Sequence, residues 1–149
     1  MAVLEITQAA EQRLLEITPS IPTAFEGVHF EPPTGMYQRC QFIISPPEDP
    51  VLGTGYYRER VEFQVFVSSP AGLGVGDALA RAELIRAKFK KGTSFDTDII
   101  ANWWEYFNNP VFIKVHVLST PQVAGTVPLG DRVVVPVMIS LVGEVYSIK

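Results

Sequence analysis

The chain of 149 residues has one cysteine and two histidines, and in no stretch do apolar residues run long enough for a membrane span. A single thiol, Cys40, permits no internal disulfide and fits assembly in a reducing cytosol. Two histidines, His29 and His116, stand far apart with no cysteine or carboxylate at ligand spacing, whereas zinc needs three or four convergent ligands. A membrane helix takes about 18 or more apolar residues in succession, and no run here reaches that length. Glu5, Glu11 and Glu16 interrupt the first 20 residues, so these are not a secretory signal. Basic charge is also scarce. With 12 Lys and Arg against 16 Asp and Glu, the net charge is −4, which argues against a protein that grips nucleic acid by its phosphates.

The remaining composition is that of one globular domain, residues 1–149. It is 47% hydrophobic, and a chain of this length buries roughly 68–70% of its unfolded surface. Val3 to Ile17 reads as an amphipathic helix with Ile6, Ala10, Leu14 and Ile17 on one stripe, ended by Pro19 and Pro22. Phe25–Phe30 reads as a short strand and Met36–Ser45 as a longer one. Residues 46–55 are dense in turn formers. The clearest strand is Val61–Val67, which alternates Val61, Phe63, Val65 and Val67 with Glu62, Gln64 and Phe66.

After Pro70 to Gly76, a second helix is expected from Asp77, with Leu79, Ala82, Ile85 and Phe89 on its apolar stripe and Gly92 as its C-terminal cap. Residues 96–109 suit either a helix through Ile99, Ile100, Trp103, Trp104 and Phe107 or the cover of a sheet edge. Strands follow at Val111–Leu118 and Arg132–Val145, joined by a long flexible loop over 119–131. Pro136 marks a bulge or an edge position in the last strand, because it cannot donate to a ladder. Strands in runs, rather than alternating with helices, point to an α+β fold: an antiparallel or mixed sheet with helices packed on one face.

Residues with catalytic potential lack companions. Cys40 sits among apolar neighbours and reads as a small core hydrophobe, since a nucleophile needs a base and an oxyanion donor. His29 and His116 read as surface or sheet-edge residues. Gly72-Leu73-Gly74-Val75-Gly76 lies between strand and helix but misses the dinucleotide spacing, and Asp77 places negative charge where a phosphate would sit, so a tight connection is expected. Arg81, Arg86, Lys88, Lys90 and Lys91 form the one basic cluster; without interleaved aromatics they read as the solvated side and last turn of a helix. No catalytic, cofactor or metal site is therefore expected.

The order of features carries a resemblance. The starting helix leads to Phe30-Glu31-Pro32-Pro33-Thr34-Gly35 and a strand near Tyr37, then to Leu52-Gly53, to Arg58 and Arg60, and to the strand from Glu62. Ser69-Pro70-Ala71-Gly72-Leu73-Gly74, the helix ending at Phe89, and Lys91-Gly92-Thr93 complete it. Over residues 3–95 the chain resembles the tail terminator-like (tail completion) proteins of long-tailed bacteriophages. The resemblance implies a non-enzymatic virion protein, made in the host cytoplasm and placed at the head-proximal end of the tail. It implies a ring, commonly a hexamer, whose partners are its own copies, the tail tube protein and the head-tail connector. DNA would pass through the lumen without specific binding. Aromatic residues are enriched at interfaces, so Trp103, Trp104 and Phe107 are the expected subunit or tail-tube contact. Two other readings stay open: another head-tail connector or neck protein, and a small ligand-binding or enzymatic α+β domain.

Overall fold

A computed structural model describes residues 3–53, 55–96 and 111–147. Helix α1 spans Val3–Leu15 and helix α2 Gly76–Lys88. The strands are β1 (Thr23–Ala24), β2 (Tyr37–Ile44), β3 (Tyr56–Pro70), β4 (Ser94–Asp96), β5 (Val111–Val117), β6 (Gln122–Val123), β7 (Val127–Leu129) and β8 (Arg132–Ser147). They form one mixed sheet in the order β1-β2-β3-β8-β5-β4, with β6 and β7 also paired to β8. Among the described residues only the β1–β2 pair is parallel. The expected α+β fold is therefore what the chain adopts.

The spine is the pairing of β3 with β8, unbroken from Tyr56↔Tyr146 to Pro70↔Arg132. Side chains directly opposite share a face. Val61, Phe63, Val65 and Val67 thus lie against Leu141, Ile139, Val137 and Val135, and all eight are buried. Both helices cover this inner face. Ile6, Ala10 and Leu14 enter the core from α1 as the stripe predicts, and Ile17 enters from the turn beyond the helix, which ends two residues earlier than expected, while Ala78, Ala82, Ile85 and Phe89 enter from α2 and its end. Phe89 sits edge-on to Phe63 at 5.8 Å, and Phe42 stacks on Phe63 at 4.7 Å. Arg13 ties the helices together: its Nε donates to Lys88 O at 3.1 Å, and its guanidinium lies 5.3 Å from the Phe95 ring.

Several expectations are corrected. Residues 25–30 are not a strand; the pairing occurs earlier, at Thr23–Ala24, and the chain turns at Gly27 (φ 78°), where Val28 N donates to Phe25 O. Residues 119–131 are not a plain loop, since β6 and β7 within them line β8. Pro136 lies at no bulge, because the β3 register passes through it without a step. Its carbonyl accepts from Ala124 N, so its donor-less nitrogen faces the break between β6 and β7. Gly92 (φ 85°) is not the helix cap, which is Phe89; it closes the turn to β4 and donates to Val117 O at 3.2 Å. On α2, Leu79 is exposed, and Ala78 and Arg81 take the buried positions.

Candidate interaction surface

The sheet's other face carries no helix among the described residues, and its residues were set there by register. At one end, β3 and β8 place Tyr56 opposite Tyr146 and Arg58 opposite Glu144, while β5 brings His116 to the diagonal of Glu144. A chain of hydrogen bonds results. His116 Nε2 donates to Glu144 Oε2 at 2.9 Å, and Tyr56 Oη donates to Glu144 Oε1 at 3.0 Å. Arg58 Nε in turn donates to the Tyr56 oxygen at 3.0 Å. The His116 bond, then the Tyr56 bond and the neighbouring cations, outweigh burial and hold the Glu144 carboxyl below its ordinary pKa. Arg60 pairs with Glu48 at 2.9 Å.

Beside this cluster lies an open depression of about 380 Å³, lined by Arg58, Arg60, Lys91, His116, Leu118 and Glu144 among others. Lys91 has no carboxylate at ion-pair distance among the described residues. Towards the other end the face is half-buried and partly apolar, through Phe66, Val134 and Met138. There Arg132 donates to Ser68 Oγ at 2.6 Å and to the carbonyls of Thr34 and Gly35, and covers the Tyr37 ring at 4.7 Å. An apolar centre rimmed by charge is the anatomy of a docking face.

Cys40 is buried, with its Sγ 3.6 Å from Ala24 O, and burial together with Glu11 and Glu26 pushes its pKa up to about 12. His29 is exposed, 3.9 Å from Glu31. His116 is at the sheet's polar face, but it has a carboxylate partner, which spacing along the chain could not reveal because Glu144 lies 28 residues away. The glycine-rich stretch forms a short 3-10 turn, Ala71–Leu73, and Gly74 (φ 77°) leads into α2, giving the tight connection expected. Trp103, Trp104 and Phe107, and the ambiguous segment 97–109 around them, lie outside the described residues. No group of three or more His, Cys, Asp or Glu among the described residues could hold a metal. No described helix is long and apolar enough to cross a membrane.

The basic cluster does not form one solvated patch. Arg86 donates to Pro121 O and pairs with Glu83, and Lys88 pairs with Glu16 at 3.0 Å. Arg81 is buried at 3% exposure; it donates to Gln38 Oε1 at 3.4 Å and to Pro19 O, and burial lowers its pKa. Gln38, itself buried, passes the link on to Thr23 Oγ1 at 2.9 Å. Lys90 and Lys91 stay exposed.

Fold and surface together define a small α+β domain whose polar clusters lie on a sheet face that no described helix covers. The chain belongs to a family of phage tail terminator proteins, whose family model, described as "Phage tail terminator protein", matches residues 5–141. That match continues through β5 and into β8, past the stretch that carries the sequence resemblance. A solved structure that bears no functional name superposes with a TM-score of 0.69 at 22% identity, covering 96% of each chain, and so shares the fold. No curated protein matches the chain.

Proposed function

We propose that the protein caps the finished tail tube as a ring, commonly of six copies, stops tube elongation, and offers the docking surface for the head connector. Membership in the tail terminator family carries this reading. The sheet face that carries no helix among the described residues supports it, because capping a tube and receiving a connector both need broad surface rather than an enclosed pocket. The net charge of −4 suits a lumen through which DNA slides without sticking. Electron microscopy of lysates lacking the protein tests it. Normal heads with overlong or headless tails are expected; tails of normal length joined to heads overturn the reading.

We also propose that at least one of Trp103 and Trp104, with Phe107, meets a neighbouring subunit or the tail tube. Trp104→Ala should then weaken ring or tail association while the melting temperature of the monomer stays nearly unchanged. Melting several degrees lower, with association falling only in proportion, would instead place the residue in the core.

A further inference from the structure

We propose that copies of this chain join head to tail, the free end of β2 in one subunit seated on the basic depression beside β5 of the next. This rests on the ring reading above. It is carried by two surfaces of one sheet, an acidic one at the end of β2 and a net basic one that runs from Arg58 and Arg60 of β3 to Lys91 beyond β5.

The first surface is the end of β2. Strand β1 covers that edge only at Gln38 and Arg39. Beyond them the Phe42 N–H is taken up by a side chain, Glu26 Oε2 at 3.0 Å, in place of a neighbouring strand. Ile43 and Ile44 are 48% and 54% exposed, and exposed apolar residues on an unpaired strand edge are a ready contact for another chain. Glu11 and Glu26 lie near enough that burial and then Glu26 raise the pKa of Glu11, and neither has a cation partner among the described residues.

The second surface is reached by following the backbone row from Ile44 through Val61, Leu141 and Val117 to Gly92. Four steps of about 4.8 Å place it about 19 Å away, at the other side of the sheet. Here Lys91 has no carboxylate at ion-pair distance among the described residues, Arg58 lies in the same depression 4.0 Å from Glu144, and Leu118 is 46% exposed. Each surface thus offers aliphatic side chains beside a net charge, acidic at the end of β2 and basic in the depression, where Arg58, Arg60 and Lys91 outnumber the one carboxylate, Glu144.

The signs decide the arrangement. Two β2 ends facing each other would set Glu26 against Glu26, and two depressions would set Lys91 against Lys91. Head-to-tail contact sets Glu26 and Glu11 against Lys91 and Arg58, with Ile43 and Ile44 against Leu118. Because the joined patches differ, the contact is heterologous and propagates from copy to copy, closing into a ring where the rotation allows.

Charge reversal tests this with sedimentation of the full chain. Lys91→Glu alone and Glu26→Lys alone should each lose self-association by about tenfold or more, since each opposes like charges at every contact. An equimolar mixture should assemble, because in strict alternation every contact again joins opposite charges. As a second measurement, Ile43→Cys mixed with Leu118→Cys should yield an oxidised heterodimer, with neither variant forming covalent homodimers. Reversals that assemble like the wild type, a mixture that stays apart, or homodimers of the Ile43→Cys chain overturn the inference while a wild-type ring leaves the ring reading standing. A wild-type chain that is monomeric at every concentration overturns the ring reading as well.

Discussion

Gly143 is a glycine at which added bulk meets the core. It lies in β8 between Glu59 of β3 and Val115 of β5, on the inner face, directly under α1. A Cβ built there would overlap Ile6 Cδ1, stand 3.0 Å from Ile6 Cγ1, and touch Ile113 Cγ2 at 3.8 Å. Ile6 is fully buried, so its end has no solvent to swing into. Overpacking of this kind costs about 1–3 kcal/mol. The loss of backbone freedom in the unfolded chain returns about 0.4–1 kcal/mol, because the native conformation here does not demand glycine. Gly143→Ala should therefore destabilise by a net of about 1–2 kcal/mol. For a domain of this size that lowers Tm by roughly 2–8 °C. Denaturant titration should show a lower midpoint at unchanged slope. Ile6→Val removes the clashing Cδ1 and on its own costs about 0.5–1.5 kcal/mol. Combined with Gly143→Ala it should cost clearly less than the sum, because the new methyl occupies the vacated volume. A neutral Gly143→Ala, or strictly additive effects in the pair, would refute the placement of α1 over β8.

Other outcomes follow from single contacts. Arg81→Met should cost about 1–3 kcal/mol by leaving the Pro19 carbonyl and the Gln38 amide without their donor, and Arg81→Lys should recover little of it, since an ammonium cannot serve both acceptors as a planar fork does; full stability of the lysine variant in thermal melts contradicts this. Glu144 has a lowered pKa in the folded state, so its contribution is fully present above about pH 4.5 and is lost as pH falls through the folded value. Comparing wild type with Glu144→Gln by denaturation should show a gap of at most about 1 kcal/mol at neutral pH, after solvent screening, that closes at low pH; a gap that widens on acidification contradicts the pairing. The Cys40 thiol, raised to about 12, should resist alkylation at pH 8 until the protein unfolds, and labelling at the rate of a free thiol would contradict its burial.

The inward sides of α1 and of β3 were already present in the local pattern of residues, whereas on α2 the expected Leu79 is exposed and Ala78 and Arg81 are buried. The spacing of Ile6, Ala10, Leu14 and Ile17 and the alternation through Val61–Val67 are local patterns, and burying apolar area demands that their stripes turn to the core. Cys40 was legible for the same reason, since its neighbours are apolar. The partner of each element is another matter, because registers join residues far apart and the same pattern fits many neighbours. Only the tertiary structure brought Glu144 beside His116, drew β6 and β7 out of an apparent loop, and turned the bare nitrogen of Pro136 towards a break in its partner strands. Arg81 shows the limit most plainly. Helical position puts it near the core boundary, charge argues for solvent, and the tie was broken by a carbonyl at Pro19 and an amide at Gln38 lying within reach of its guanidinium. A buried charge is tolerated where its donors are satisfied, and those acceptors come from segments 62 and 43 residues away.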